Sequence, residues 1–285
     1  MIKFLDILKE SDDNIFIPRG SKEEKDKVLI RRTNDKIQEY IRNGSEGDLV
    51  LISSPIQFLP KNLTKVGGDL VLIKSQIEKL PDNLTVNGRL DLESCKNLQE
   101  LPNGLKVKNK LDLRHTNITS LTSDLEVGGS LSLMHSQIEK LPDNLTVNSV
   151  LDLDSCKNLQ SLPNGLKVKH ELDLRNTNIT SLPSDIEVGG SLFLNHSQIE
   201  KLPDNLTVNG GLDLESCKNL QSLPNGLKVK NDLDLRDTNI TSLPSDLEVR
   251  DDLILYRTPI ADMYTEKQII KMVPKVEGSI FLNPP

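Results

Sequence analysis

The chain has 285 residues, a formal net charge of -7, only 3% aromatic residues and no tryptophan. That acidity argues against a general nucleic-acid binder, which carries a basic surface, and no apolar run approaches the roughly 18 residues of a membrane-spanning helix. So few aromatic rings also argue against a conventional globular core, because such cores draw much of their buried area from rings.

The N-terminal stretch MIKFLDILKESDD holds an apolar patch that is too short and too soon acidic for a signal peptide. The expectation is a protein kept in a reducing cytoplasm, where disulfides do not persist. Ser21-Lys22-Glu23-Glu24 has the pattern of a capping box, and Leu29, Thr33, Ile37, Tyr40 and Ile41 follow at helical spacing. Residues 1–46 are therefore expected to form a helical N-terminal cap. It would cover the first coils, whose outward strand positions are apolar (Val50, Ile52, Val71, Ile73).

From residue 47 onward the chain repeats itself. A Leu-x-Leu pair recurs at Leu49, Leu70, Leu90, Leu111, Leu131, Leu151, Leu172, Leu192, Leu212, Leu233 and Leu253, in steps of 20 or 21 residues. A longer period of 61 residues lies on top, so a three-coil block occurs three times, at 70–130, 131–191 and 192–252. Leu-x-Leu alternates in and out, as a short strand with both leucines inward would. An Ile or Leu follows (Ile77, Leu98, Ile118), then a Leu-Pro step (Leu80-Pro81), then L-x-V (Leu84, Val86). Asn87-Gly88, Gly128-Gly129 and Gly189-Gly190 come next and are expected to take the positive φ of tight corners. One coil cannot bury its own apolar edges, whereas a stack of ten builds a continuous core. Residues 47–252 are expected to be that solenoid, and 253–285 a final coil with a C-terminal cap. In the cap, Thr265-Glu266-Lys267-Gln268 opens a helix to about Met272, and Ser279–Leu282 forms a last strand that closes the sheet edge.

The period and the string L-x-L-x-x-T/C-x-(x)-I/L-x-x-L-P resemble the leucine-rich repeat family over residues 47–263. The likeness is to short bacterial repeats with a Leu-Pro step, as in secreted effectors. LDLESCKNLQELP (from Leu90) is similar to the cysteine coil of plant disease-resistance receptors. The resemblance implies a right-handed superhelix with one short parallel strand per coil. V-x-x-x-L-x-L replaces the family's L-x-x-L-x-L entry, so the convex side is expected to run extended rather than helical. The stretch LILYRTPIADMYTEKQIIKMV is similar in style to repeats of bacteria or bacteriophages.

The three cysteines, Cys95, Cys156 and Cys217, recur three coils apart. With strands about 4.8 Å apart, that separation is about 14 Å, too far for a disulfide or a shared zinc ion. Neighbouring coils carry Ser75, Thr116, Ser136, Thr177, Ser197 and Thr238 at the same position, so the cysteine reads as a small residue packed at a corner. His115, His135, His170 and His196 lack ligand spacing, and no P-loop, G-x-S-x-G, H-E-x-x-H or dinucleotide fingerprint occurs. Neither an enzyme nor a cofactor or metal is expected. Effectors of the ubiquitin-ligase type have similar repeats but need a separate catalytic cysteine domain, and the chain leaves no residues for one.

What remains is the outward side of the strands, the concave face in this family. Between the paired leucines stand Asp91, Asp112, Ser132, Asp152, Asp173, Phe193, Asp213, Asp234 and Ile254, and after them Glu93, Arg114, Met134, Asp154, Arg175, Asn195, Glu215, Arg236 and Tyr256. Two readings stand: a solvated face of mutually neutralising charges, or a surface for a protein partner. The second makes Asp112, Arg114, Met134, Asp173, Arg175, Phe193, Asn195, Asp234, Arg236 and Tyr256 the candidate contact residues. The resemblance favours a non-catalytic protein-binding module, a phage or bacterial host-directed factor with no nucleic-acid or membrane partner. A structural or virion component, or a glycan-binding adhesin, is the alternative.

Overall fold

A computed structural model describes residues 21–283. The MIKFLDILKESDD patch and the part of the expected cap before residue 21 lie outside the described residues.

Helix α1 (Lys22–Arg42) starts at the capping box: Ser21 Oγ accepts from the Glu24 N–H at 3.3 Å, and Glu24 Oε2 accepts from the Ser21 N–H at 2.8 Å. Its inner side buries Ile37 fully and Tyr40 and Ile41 in part. The helix runs along the open edge of the first strand, where Lys36 Nζ donates to the Val50 carbonyl at 3.1 Å. The Tyr40 hydroxyl accepts from the Gly67 N–H at 3.2 Å, and its proton is shared between the carbonyls of Ser45 and Gly47. Backbone groups that a strand edge would otherwise leave open are thereby covered.

Each coil adds one two-residue strand to a 12-stranded parallel sheet that runs from Leu49–Val50 to Ile280–Phe281. The register sets leucine on leucine: Leu49 on Leu70, Leu90 on Leu111, Leu172 on Leu192. Regular bonds tie the strands, such as Leu70 N–H to Arg89 O and Leu72 N–H to Asp91 O, both 2.8 Å. Inside lie the columns foreseen from the repeat, with Leu90, Leu92, Leu98, Leu105, Ile118 and Ile138 all fully buried. The fold is a leucine-rich-repeat-type solenoid.

The convex side is extended, and it goes further than a loose segment. L-x-V forms a second two-residue strand in each coil, such as Thr85–Val86 and Lys106–Val107, paired in parallel with its neighbours. These returning strands make three separate sheets of four, three and four strands.

The corner expectation needs correction. Positive φ does not fall on Gly88, Gly128 or Gly129; it falls on the residue two after the second leucine of each strand, as in Lys74 (56°), Ser94 (60°) and His115 (58°), and on the turn before the returning strand, as in Asn83 (58°) and Gly104 (65°). Glycine at the returning corner answers to space instead. A Cβ at Gly128 would sit 2.1 Å from the Lys108 carbonyl oxygen.

At the C-terminal end, α2 (Pro259–Met263) was not foreseen; Thr258 Oγ1 caps it by accepting from the Ala261 N–H at 3.3 Å. Helix α3 (Glu266–Met272) begins where the Thr265 N–H and hydroxyl both donate to Gln268 Oε1, at 2.9 and 2.8 Å. α3 buries Ile269 and packs on the strand Ile280–Phe281. A returning strand, Lys275–Val276, completes this coil.

Candidate interaction surface

The strand face is built from two columns per coil with different roles. The residue between the paired leucines is largely covered: Asp112, Asp173 and Asp234 are only 1%, 7% and 9% exposed. The expectation that these aspartates offer direct contacts therefore changes. Each lies under long side chains of its own and adjacent coils and acts through them. Its Oδ1 accepts the N–H of the residue two further on, at 3.2 Å from Arg114, 3.0 Å from Arg175 and 3.0 Å from Arg236. Asp91, Asp152 and Asp213 do the same for Glu93, Asp154 and Glu215.

Over them lies the second column, half-buried along its length. Arg114 folds back so that Nε bonds both oxygens of Asp112 (2.8 and 3.0 Å), while Nη2 reaches Glu93 Oε2 in the preceding coil at 2.7 Å. Arg236 repeats this arrangement with Asp234 and with Glu215 at 2.8 Å. In the middle block the shorter Asp154 stops 3.9 Å from Arg175 Nη2, and the Arg175 guanidinium lies 5.9 Å from the Phe193 ring centre. The charge columns thus neutralise one another within the protein, the first of the two readings, at each ladder.

Electrostatics differ along the column. Burial pushes the Asp91, Asp152 and Asp213 carboxyls above the usual range, against the N–H bonds that favour their charge. At Asp112 burial works the same way but is outweighed by hydrogen bonds from Arg114 and Lys110, and the net displacement is downward. Among the described residues, Asp91–Glu93–Asp112 and Asp213–Glu215–Asp234 each bring three carboxylates within 4.8 Å of one another, as a cation site would need. In both, an arginine already bonds two of the three, which is a sufficient account of the clustering.

Between ladders come rungs of another kind. The first coil of successive blocks presents Ile73, Met134, Asn195 and Tyr256 at one position, and Val71, Ser132, Phe193 and Ile254 at the other. Met134, Phe193, Asn195 and Tyr256 are half-buried, and Tyr256 stands edge-on to Phe281 at 6.3 Å. The structure brings the candidates together in one face as alternating charged ladders and variable, mostly apolar rungs.

The cysteines sit behind this face at the corner. Cys95 Sγ donates to the Leu72 carbonyl of the preceding coil at 3.0 Å, and Cys156 and Cys217 repeat the contact at 3.1 Å. All three are fully buried, and burial pushes the Cys156 and Cys217 thiols up to about 12 and about 11, which keeps them protonated and unreactive. The structural reading of the cysteine holds. Sequence reasoning did not anticipate that His115 and His135, at neighbouring corners, stack with ring centres 4.9 Å apart.

No protein-family model matches the chain, and no curated protein matches it. Among solved structures, YopM from Yersinia enterocolitica WA-314 is similar at 18% identity, with a TM-score of 0.35, over 84% of this chain and 71% of that one. At that level the fold assignment rests on this chain's own coil period and strand ladder.

Proposed function

We propose that the chain is a non-catalytic module that recognises a protein partner through its strand face, in the cytoplasm of a bacterial or phage-infected cell. The observation that carries this reading is the placing of variation. Ile73, Met134, Asn195 and Tyr256 occupy equivalent outward positions and all differ, while the leucines beneath them (Leu72, Leu133, Leu194, Leu255) do not change. Within the first coil of each block the outward strand positions differ most while the buried leucines stay fixed, which is what a tuned contact surface would produce. Because the ladders neutralise themselves, affinity would come from the rungs, with Phe193 and Tyr256 as rigid anchors of the kind that dominate interfaces. The acidic net charge of -7 disfavours nucleic acid, and no helix among the described residues is long and apolar enough to cross a membrane.

The test compares capture from bacterial lysate by the wild-type chain, by Arg175→Glu with Phe193→Ala, and by Lys61→Glu on the turn side. A partner retained by wild type and Lys61→Glu but lost by a folded double variant is the expected outcome. Equal capture by all three removes the strand face from consideration. Binding to a glycan array, with no protein captured, would favour the adhesin reading.

A further inference from the structure

Ion pairing within each charged ladder leaves a remainder, and the remainder differs between the three blocks. The outward side of a strand includes a third position, the residue before the first leucine, because side chains two apart share a face. In the first block that position holds cations: Arg89 Nη1 lies 3.6 Å from Asp91, and Lys110 Nζ lies 2.9 Å from Asp112. With Arg114 they set three cations against the three carboxylates of Asp91, Glu93 and Asp112. One block later the same positions hold Val150 and Glu171, and two blocks later they hold Gly211 and Asp232. Each of these ladders carries four carboxylates against one arginine, an excess of negative charge that the first ladder lacks.

Burial follows the exchange of residues. Under Arg89 the Asp91 side chain is only 3% exposed, whereas Asp152 and Asp213, without that cover, are half-buried. Asp173 and Asp234 likewise lie less deeply than Asp112, which has Lys110 beside it. Glu171 and Asp232 are themselves exposed. The second and third ladders thus present to solvent the charge that the first keeps covered and paired. Between these two ladders stands the rung of Phe193 and Asn195.

We propose that the strand face selects a basic polypeptide, with lysine or arginine side chains over the second and third ladders and an apolar side chain between them on Phe193. The inference rests on the strand-face reading and divides the work within it: the rungs supply affinity, and the residual charge supplies selection and the rate of encounter. The two ladders are three coils apart, roughly 14 Å. That exceeds the screening length of about 8 Å at physiological salt, so they act as separate attractors. An extended segment with basic residues at i and i+4 also spans about 14 Å, and it carries residue i+2 on the same side. Laid along the solenoid axis, such a segment matches the order of ladder, rung and ladder. The balanced first ladder takes no part.

The probes are two end-blocked peptides, Lys-Ser-Leu-Ser-Lys and Glu-Ser-Leu-Ser-Glu, titrated into the folded chain and followed by backbone amide shifts. The lysine peptide should move strand amides between Leu151 and Arg236 and spare those between Leu90 and Arg114; the glutamate peptide should move neither set. Val150→Arg with Glu171→Lys copies the cations of the first block into the second, at positions that already accept them there. It should weaken the lysine peptide by about tenfold. A control with the same change of charge outside the strand face, Glu139→Lys with Asp204→Asn, should leave its affinity unchanged. Conversely, Arg89→Val with Lys110→Glu should bring the first ladder into the footprint. An equal response to both peptides keeps the face as an interface and overturns its selection of basic segments. Shifts spread over the first ladder and the returning side, or equal weakening by the control, reveal bulk attraction to an acidic chain and overturn it as well. A response to neither peptide removes the basic segment, while the lysate comparison decides the strand face separately.

Discussion

The Cys95 thiol donates to the carbonyl of Leu72, so a side chain of one coil is tied to the backbone of the coil before it. Thr116, at the same position one coil later, instead donates to Leu113 within its own coil at 2.7 Å. Cys95→Ala removes a buried bond and a sulfur's volume and should cost about 1–2 kcal/mol in urea unfolding. Cys95→Thr should cost less than about 1 kcal/mol, because the position already accepts threonine elsewhere. In the folded wild type, none of the three thiols should react with a thiol-specific reagent until denaturant is added.

Asp91 and Asp112 are neighbours in the sheet with opposite displacements, which gives opposite mutational signs. The folded Asp91 carboxyl titrates above its unfolded value, so its contribution is present in acid and lost as pH rises from the unfolded value through the folded one. Asp91→Asn should therefore stabilise at neutral pH, by less than about 1 kcal/mol. Asp112 is displaced downward, so its contribution is present above the unfolded value and lost as pH falls through the folded one. Asp112→Asn should destabilise at neutral pH by roughly 1–3 kcal/mol, because Arg114 and Lys110 lose a charged acceptor. Thermal unfolding across the acidic range should show the two effects shrinking together.

Burial, and then the charge of the stacked His135, hold His115 below the ordinary imidazole range. Its neutral form is the one the fold favours. Its contribution is thus present above the unfolded value and lost as pH falls through the folded one. Replacing the neighbour, His135→Gln, should raise the His115 titration midpoint, read from its imidazole protons by NMR. An unmoved midpoint would leave burial, with the charges of Lys96 and Arg114, as the cause.

Two glycines separate space from conformation, since neither needs positive φ. Gly128→Ala would drive a Cβ to 2.1 Å from the Lys108 carbonyl and should cost about 2 kcal/mol or more. At Gly211 the nearest atom would be 3.5 Å away, and Gly211→Ala should change stability by no more than about 0.5 kcal/mol. Paired denaturation curves decide it.

Much of this architecture was legible because the repeat supplies many copies of one experiment. Leu90, Leu111 and Leu131 had to face inward in any arrangement that buried a 20- or 21-residue coil, and Ser75 and Thr116 revealed what the cysteine position tolerates. The charged ladder was legible only in part. Sequence shows that Asp112 and Arg114 alternate with buried leucines, but not that Arg114 bends back to cover Asp112, because that depends on side-chain torsions. The glycine corners were misread for a related reason: contact with the preceding coil, such as that of Gly128 with Lys108, is a property of stacking and leaves no mark within one coil. α2 escaped notice because five residues are too few to show a helical period.

The 61-residue period has a consequence for heredity as well as shape. Because the strand sheet pairs each coil only with its neighbours, a whole block can be gained or lost with every remaining leucine still facing a leucine. Unequal recombination between the stretches of DNA that encode these similar blocks would do this in one step, lengthening or shortening the face by about 14 Å. A slip of one or two coils would instead set a charged ladder beside the wrong rung. Length is therefore heritable in quanta of three coils, and populations of this gene should differ by whole blocks before they differ by single coils.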